Sequence, residues 1–260
     1  MAKLYFRYGT VGSAKTLNLL AVAHNYRQQG KSIVLLKPEL DIRFGKESIK
    51  SRAGLEMTAD LLVSAKTELL TLDWEGVNCI LVDEAQFLSA LHIEELRQLT
   101  LTKNIPVICY GLRSDFKTRL FEGSKRLMEL ADSIEEVKAT CHYCQRKSIV
   151  NLKHVDGKAV LEGPTVELGA EEKYYPVCFN CYAKQLMSDC KNPAAYLRPD
   201  LPAGHSAERV GIFKQAFKRE HEALQDKDGS KMQADFCNQT LDLSSQNALA
   251  SAAHEVHHEV

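Results

Sequence analysis

Some residues in this chain have the types and spacing to do chemistry. The first group is Gly9-Thr10-Val11-Gly12-Ser13-Ala14-Lys15-Thr16. The pattern G-x-x-x-x-G-K-[ST] makes a phosphate-binding loop. Its backbone N–H groups close around the phosphates, its Lys supplies a point charge, and its hydroxyl reaches Mg²⁺. Here the first Gly, the Lys and the Thr are in register, and Ala14 stands where the second Gly is expected. If that position needs a positive φ, a Cβ costs about 1 kcal/mol or more. A Gly-bearing turn ahead of a helix is the plainer account of the same residues. The second group is Asp83-Glu84, which closes the apolar run 78–82. Beside a phosphate loop, one acid at a strand end binds Mg²⁺ through its waters, and a second can take a proton from an attacking hydroxyl. A solvated strand end with a helix-capping Asp is the alternative, and the loop upstream favours function.

The third group is two pairs of cysteines, Cys141-x₂-Cys144 and Cys178-x₂-Cys181. Four thiolates close a tetrahedral Zn²⁺ site and leave no position for water, so the metal is expected to be structural. Disulfides and free thiols are the alternatives. Residues 145–177 between the pairs exceed the usual spacing of about 15–20, so they hold more than a ribbon turn. Cys79 and Cys109 lie inside apolar runs and read as core residues. Cys190 and Cys237 have no identifiable partner. His254, His257 and His258 read as tail composition. Asp41 and Arg43, taken alone, read as a surface ion pair. Phe87, Phe116, Phe121, Tyr174 and Tyr175 supply flat apolar faces of the kind a nucleobase pocket needs, and each also suits ordinary packing.

These residues need a scaffold at their back. Residues 3–8 read as a strand, 16–29 as a helix with Leu19, Leu20, Ala23 and Tyr26 on one face, and 32–37 as a buried strand. That is a βαβ unit with the loop at its first turn. Residues 38–52 read as a polar loop, carrying Asp41, Arg43 and Arg52, at the edge where open α/β sheets bind ligands. Further strands are expected at 61–64, 78–82, 106–110 and 133–139. A helix with Ile93, Leu96 and Leu99 follows the acids, 111–121 is a loop, and 122–131 is a helix. Strands alternating with helices predict a parallel α/β sheet. The organisation expected is residues 1–140 as an ATP-binding domain, 141–190 as a zinc-binding domain and 191–260 as a C-terminal extension. Within the extension, 209–224 reads as a helix and 226–260 as a mobile polar tail. Of 260 residues, 45% are hydrophobic and 26% charged, with a formal net charge of −1. That balance gives no electrostatic case for nucleic acid or membrane partners. No apolar run reaches the roughly 18 residues of a membrane span, and no secretory signal is visible. The expected location is the cytoplasm.

Taken in order, the phosphate loop, V-D-E-A-Q-F, C-Y-G-L-R-x-D-F, two C-x₂-C pairs and K-Y-Y-P-V-C closely resemble the zinc-containing, cellular and bacterial type of thymidine kinase. The resemblance runs from about Tyr5 to Lys184. It implies a RecA-like phosphate-loop core and a small zinc-anchored domain whose long loop, a lasso, closes over thymidine. Gly9 to Thr16 become the ATP loop, with Gln86 beside the nucleotide. Glu84 becomes the general base. Thr16, Asp83 and Asp41 serve Mg²⁺, and Asp41 with Arg43 serve the phosphates, which reverses the surface-pair account. Phe87, Leu112, Phe116, Phe121 and Asn151 match pocket positions around the base. Tyr174 matches a lasso residue contacting the nucleoside, and backbone at Thr165, Val166, Glu167 and Leu168 matches the part that hydrogen-bonds the base edge. Ala14, Val11 and Glu167 depart from the family's usual Gly, Met and apolar residue.

The activity implied is transfer of the γ-phosphate of ATP to the 5′-hydroxyl of thymidine, giving dTMP in a salvage step for DNA precursor synthesis. ATP, Mg²⁺ and structural Zn²⁺ are the implied cofactors. The resemblance also implies a homotetramer and feedback by dTTP. Removing zinc is expected to loosen the lasso and raise the thymidine KM before it touches ATP binding. Two alternatives stay open from the sequence: a zinc-ribbon phosphate-loop ATPase, and a nucleotide-binding regulator impaired by Ala14.

Overall fold

The structure is a computed structural model and describes residues 1–163 and 173–189. Its centre is a six-stranded sheet, every pair parallel, in the order β5-β2-β6-β7-β1-β8. The strands are β1 (Leu4–Tyr8), β2 (Ile33–Pro38), β5 (Leu61–Val63), β6 (Cys79–Val82), β7 (Val107–Gly111) and β8 (Ser133–Glu136). This is the parallel α/β core that the alternating pattern predicted.

The central strands are apolar throughout because both faces are covered. Successive side chains point to opposite faces. Ile80 and Val82 join one core with Phe6, Leu36 and Cys109, under helices α2 (Ala90–Thr102) and α3 (Glu122–Leu130). Cys79 and Leu81 join the other with Leu35 and Tyr110, under helix α1 (Lys15–Gln28) through Leu19, Leu20 and Ala23. Each such fully buried aliphatic side chain contributes about 1.5–3 kcal/mol. Helix α2 begins on a capping box, in which Ser89 accepts from the His92 N–H while the His92 ring accepts from the Ser89 N–H. Cys79 and Cys109 are core residues, as expected.

One segment departs from expectation. The polar stretch after β2 contains a strand, β3 (Ser48–Lys50), which pairs antiparallel with β4 (Glu56–Thr58). Strands of three residues are too short to show alternation. What holds this hairpin is tertiary: Ile49 is buried, and Ile49, Met57 and Ala59 pack with the α1-side core.

The cysteine-bounded segment forms a three-stranded antiparallel sheet in the order β10-β9-β11, backed by helix α4 (Phe179–Asp189). Its strands are β9 (Val150–Val155), β10 (Lys158–Val160) and β11 (Tyr174–Val177). Its core gathers Val150, Leu152, Val177, Tyr182 and Leu186, and Phe116 enters it from the loop after β7. The expected positions Thr165, Val166, Glu167 and Leu168, the expected helix at 209–224, Cys190, Cys237 and the terminal histidines lie outside the described residues. Among the described residues, no helix is long and apolar enough to cross a membrane.

Candidate active site

Strand β1 runs directly into the loop. A Cβ on Gly9 would lie 2.3 Å from the Ser13 Oγ and 2.6 Å from the Val137 carbonyl oxygen, so this glycine is required by space. Gly12 has φ 77° and Ala14 has φ 62°. The alanine therefore occupies the left-handed conformation that its glycine counterpart would adopt freely, at a cost of about 1 kcal/mol. Lys15 follows as the first residue of α1 and is buried. Its Nζ donates to the Thr10 carbonyl oxygen at 2.7 Å and lies 3.3 Å from the Ser13 Oγ. Burial lowers the Lys15 pKa to about 8, against the upward pull of Glu84 and Asp83. An open cavity of about 220 Å³ lies over the loop, lined by its residues from Val11 to Thr16 with Arg43, Phe44, Lys50, Arg52, Glu84 and Leu112.

The acids arrive from β6, two strands away from β1 with β7 between them. Thr16 Oγ1 donates to the Asp83 carboxylate, with oxygens at 3.3 and 3.2 Å. Burial and the neighbouring Glu84 charge raise the Asp83 pKa to about 7. Glu84 has φ 50°, an uncommon backbone for a non-glycine residue, of the sort that concentrates at functional sites. Its Oε1 lies 2.6 Å from Arg43 Nη2, and its Oε2 accepts from Gln86 Nε2. Burial favours its protonated form, but the charges of Arg43 and Lys15 outweigh this and hold its pKa below the usual range. Gln86 also accepts from the Leu112 N–H at 3.0 Å, so it ties Glu84 to the end of β7.

Arg43 reaches this point from the edge of β2. Its Nε and Nη2 grip the two oxygens of Asp41 at 2.5 and 3.0 Å. Asp41 also pairs with Lys37 at 3.4 Å, and both side chains are almost fully buried. Burial pushes Asp41 upward, and Arg43 and Lys37 together pull it below its ordinary value. A lysine inside a buried strand is tolerated because its Nζ also donates to the Ser48 carbonyl oxygen at 2.7 Å.

The four Sγ atoms of Cys141, Cys144, Cys178 and Cys181 lie within 4.8 Å of one another. Cys144 and Cys178 are 3.7 Å apart, as are Cys181 and Cys144. A tetrahedral zinc with Zn–S of about 2.3 Å separates its sulfurs by about 3.8 Å. The cluster fits a closed zinc site, and the Cys181 N–H donates to the Cys178 Sγ at 3.4 Å.

A model of the thymidine kinase family matches residues 2–182. The chain belongs to the thymidine kinase family. A thymidine kinase of Lactococcus lactis is 42% identical over 191 residues, covering 71% of this chain and 98% of that protein. One from Lactiplantibacillus plantarum is 44% identical over 184 residues, covering 70% and 96%. One from Streptococcus gordonii is 42% identical over 187 residues, covering 71% and 97%. A solved Pif1 helicase from Candida albicans aligns with a TM-score of 0.33 and 9% identity, over 52% of this chain and 36% of that one.

The structure brings together the loop, Asp83, Glu84, Gln86, Asp41 and Arg43. The remaining expected positions are divided. Leu112 lines the loop cavity, whereas Phe87, Phe116, Phe121, Tyr174 and Asn151 are not among its lining residues. Phe87 and Phe121 pack edge-to-face with centroids 5.8 Å apart. Phe116 is 1% exposed, 6.1 Å from the Tyr174 ring, and Lys153 Nζ lies 5.0 Å from its centroid. Asn151 Oδ1 accepts from the Val11 N–H at 2.9 Å, and Ser148 Oγ lies 2.8 Å from Thr10 Oγ1. The cysteine-bounded segment therefore grips the phosphate loop directly. Sequence reasoning missed that grip, and also Phe44, Lys50 and Arg52 as cavity walls. Nothing in their local pattern marks them, although Arg52 stood in the loop already assigned to the ligand edge.

Proposed function

We propose that this protein transfers the γ-phosphate of ATP to the 5′-hydroxyl of thymidine, giving dTMP and ADP. The observation that supports it best is one cavity lined by the phosphate loop, Arg43 and Glu84, in a chain of the thymidine kinase family. Phosphoryl transfer asks mainly for positioning and for neutralisation of charge. The loop N–H groups and the start of α1 bind the phosphates. Lys15 turns from its own backbone to the β/γ oxygens. Thr16 and Asp83 are hard oxygen donors already in contact, which suits Mg²⁺, whose charge would offset that of the phosphates. Arg43 and Gln86 orient the Glu84 carboxylate, and the charges of Arg43 and Lys15 keep it ionised against its burial. An ionised Glu84 can accept the 5′-hydroxyl proton as the new P–O bond forms. Phe87, Phe116, Phe121 and Tyr174, with the stretch from Thr165 to Leu168, form the proposed nucleoside side, and Asn151 joins that side to the loop through the Val11 N–H. The cysteine cluster holds structural Zn²⁺ and takes no chemical part.

The same reading implies a cytoplasmic enzyme organised as residues 1–140, 141–190 and 191–260, assembling as a homotetramer and inhibited by dTTP. The test is ADP release from ATP against a panel of nucleosides and DNA. Thymidine is expected to drive release, with deoxyuridine weaker by the roughly 1–3 kcal/mol of one methyl group. Release driven by DNA and not by thymidine would overturn the proposal. So would nucleotide binding without any release.

A further inference from the structure

The strand that leads to Asp41 and Arg43 ends on a buried cation. Along β2 the apolar side chains alternate between the two cores, Leu35 joining the α1-side core and Leu36 the other. Lys37 takes the face of Leu35 and is 1% exposed. An aliphatic side chain is the ordinary occupant of such a place, because an ammonium taken out of water needs close compensation. Here the ammonium faces three acceptors. Its Nζ donates to the Ser48 and Gly45 carbonyl oxygens at 2.7 and 3.3 Å, and it pairs with the Asp41 Oδ2 at 3.4 Å. No step of the proposed reaction touches Lys37 itself.

Lys37, Asp41, Arg43 and Glu84 form a row of alternating charges. The Asp41 Oδ2 lies between Lys37 Nζ and Arg43 Nη2, at 3.4 and 3.0 Å, and the same Nη2 lies 2.6 Å from Glu84 Oε1. None of the four side chains is more than 15% exposed, so solvent and salt screen their charges weakly. Two carboxylates therefore share one guanidinium. Asp41 holds Arg43 in place by two contacts, and it also competes with Glu84 for the Arg43 charge. A cation on the far side of Asp41 offsets that competition without loosening the two contacts.

We infer that Lys37 is a positioning residue for the phosphoryl transfer: it neutralises Asp41 at the far end of the row, so that Asp41 fixes Arg43 and Arg43 in turn orients the Glu84 carboxylate. This inference rests on the proposed base role of Glu84, and its test keeps the two apart. Wild type, Lys37→Met, which has similar length and no charge, and Lys37→Arg are compared in two ways. One is kcat for thymidine phosphorylation beside thymidine binding by calorimetry. The other is the crystal structure of each protein, read at the contact between Arg43 and Glu84. Lys37→Met is expected to lower kcat about 10²-fold through misplacement of the base, with thymidine affinity unchanged. In its structure Arg43 should stay on Asp41 and withdraw from Glu84 beyond hydrogen-bond range. Lys37→Arg restores the charge and is expected to keep the Glu84 contact and to recover part of kcat. It also keeps the test readable should the Met variant fold poorly. A lysine that only holds the hairpin would lower the melting temperature of Lys37→Met and leave the Arg43–Glu84 contact in place, which would overturn the inference. Wild-type kcat in a folded Lys37→Met would do the same. If wild type shows no thymidine-dependent turnover, the proposed activity fails, and the structures of wild type and variants still decide whether Lys37 places Arg43 on Glu84.

Discussion

Glu84 is gripped on both carboxylate oxygens before any substrate arrives, by Arg43 on one and Gln86 on the other. A carboxylate held this way needs no search for its orientation, which suits the proposed general base, and its lowered pKa keeps it ionised at neutral pH. Glu84→Gln is expected to lower kcat by about 10²–10⁴-fold while thymidine still binds, as measured by steady-state kinetics beside direct binding. Asp83 behaves oppositely. Its folded pKa of about 7 lies above its ordinary 3.8. Between those values the folded protein holds a proton that the unfolded chain has released, so the contribution of Asp83 to stability declines as pH rises through that window. Asp83→Asn is expected to flatten the fall in melting temperature from pH 5 to pH 8 and to abolish turnover; an unchanged slope would place the buried charge elsewhere. Ala14, with φ 62°, carries a third expectation. Ala14→Gly should stabilise the protein by about 1 kcal/mol, or about 2–4 °C in a thermal melt at this size, and should not weaken ATP binding.

At the scale of elements, the site is a meeting of strand ends. β1 delivers the loop, β6 the acids, β2 the Asp41–Arg43 pair, and β7 the Leu112 N–H that fixes Gln86. A parallel sheet puts all these ends on one edge, which is why residues so far apart in sequence share one cavity. The cysteine-bounded sheet adds a connection that changes an expectation. Ser148, just ahead of β9, and Asn151 within it contact the loop at Thr10 and Val11, so loosening this segment would disturb the loop together with the proposed nucleoside side. Chelation of zinc is therefore expected to raise the KM for ATP as well as for thymidine, in place of the thymidine-first order expected from the lasso that the resemblance implies. Asn151→Ala tests the link with the metal still bound. It should raise the ATP KM several-fold, and a rise in the thymidine KM alone would assign Asn151 to the nucleoside instead.

At the scale of the whole molecule, the relatives account for only part of the chain. The Lactococcus lactis protein is matched over 98% of its own length by 71% of this chain, and the family match ends at residue 182. A chain ending at residue 190 is expected to keep wild-type kcat and both KM values in the ADP-release assay. Loss of activity in a folded, zinc-loaded truncation would give the C-terminal extension a role in the chemistry. The described architecture was legible in the sequence wherever local pattern carries the information. Apolar runs such as Cys79–Val82 announced strands covered on both faces, the Gly and Lys spacing of residues 9–16 announced the phosphate loop, and two Cys pairs announced the metal site, because backbone geometry and ligand chemistry dictate residue type at short range. The sequence by itself therefore determined the fold class, the family and the residues proposed to meet the phosphates. Only the tertiary structure decided that Arg43 bridges Asp41 and Glu84, that Asn151 serves the loop, that a hairpin of two three-residue strands carries Arg52 to the cavity, and that Ala14 adopts a left-handed backbone. Those outcomes depend on which side chains meet across distant segments, and a contact between residues 11 and 151 leaves no periodicity in either neighbourhood to be read.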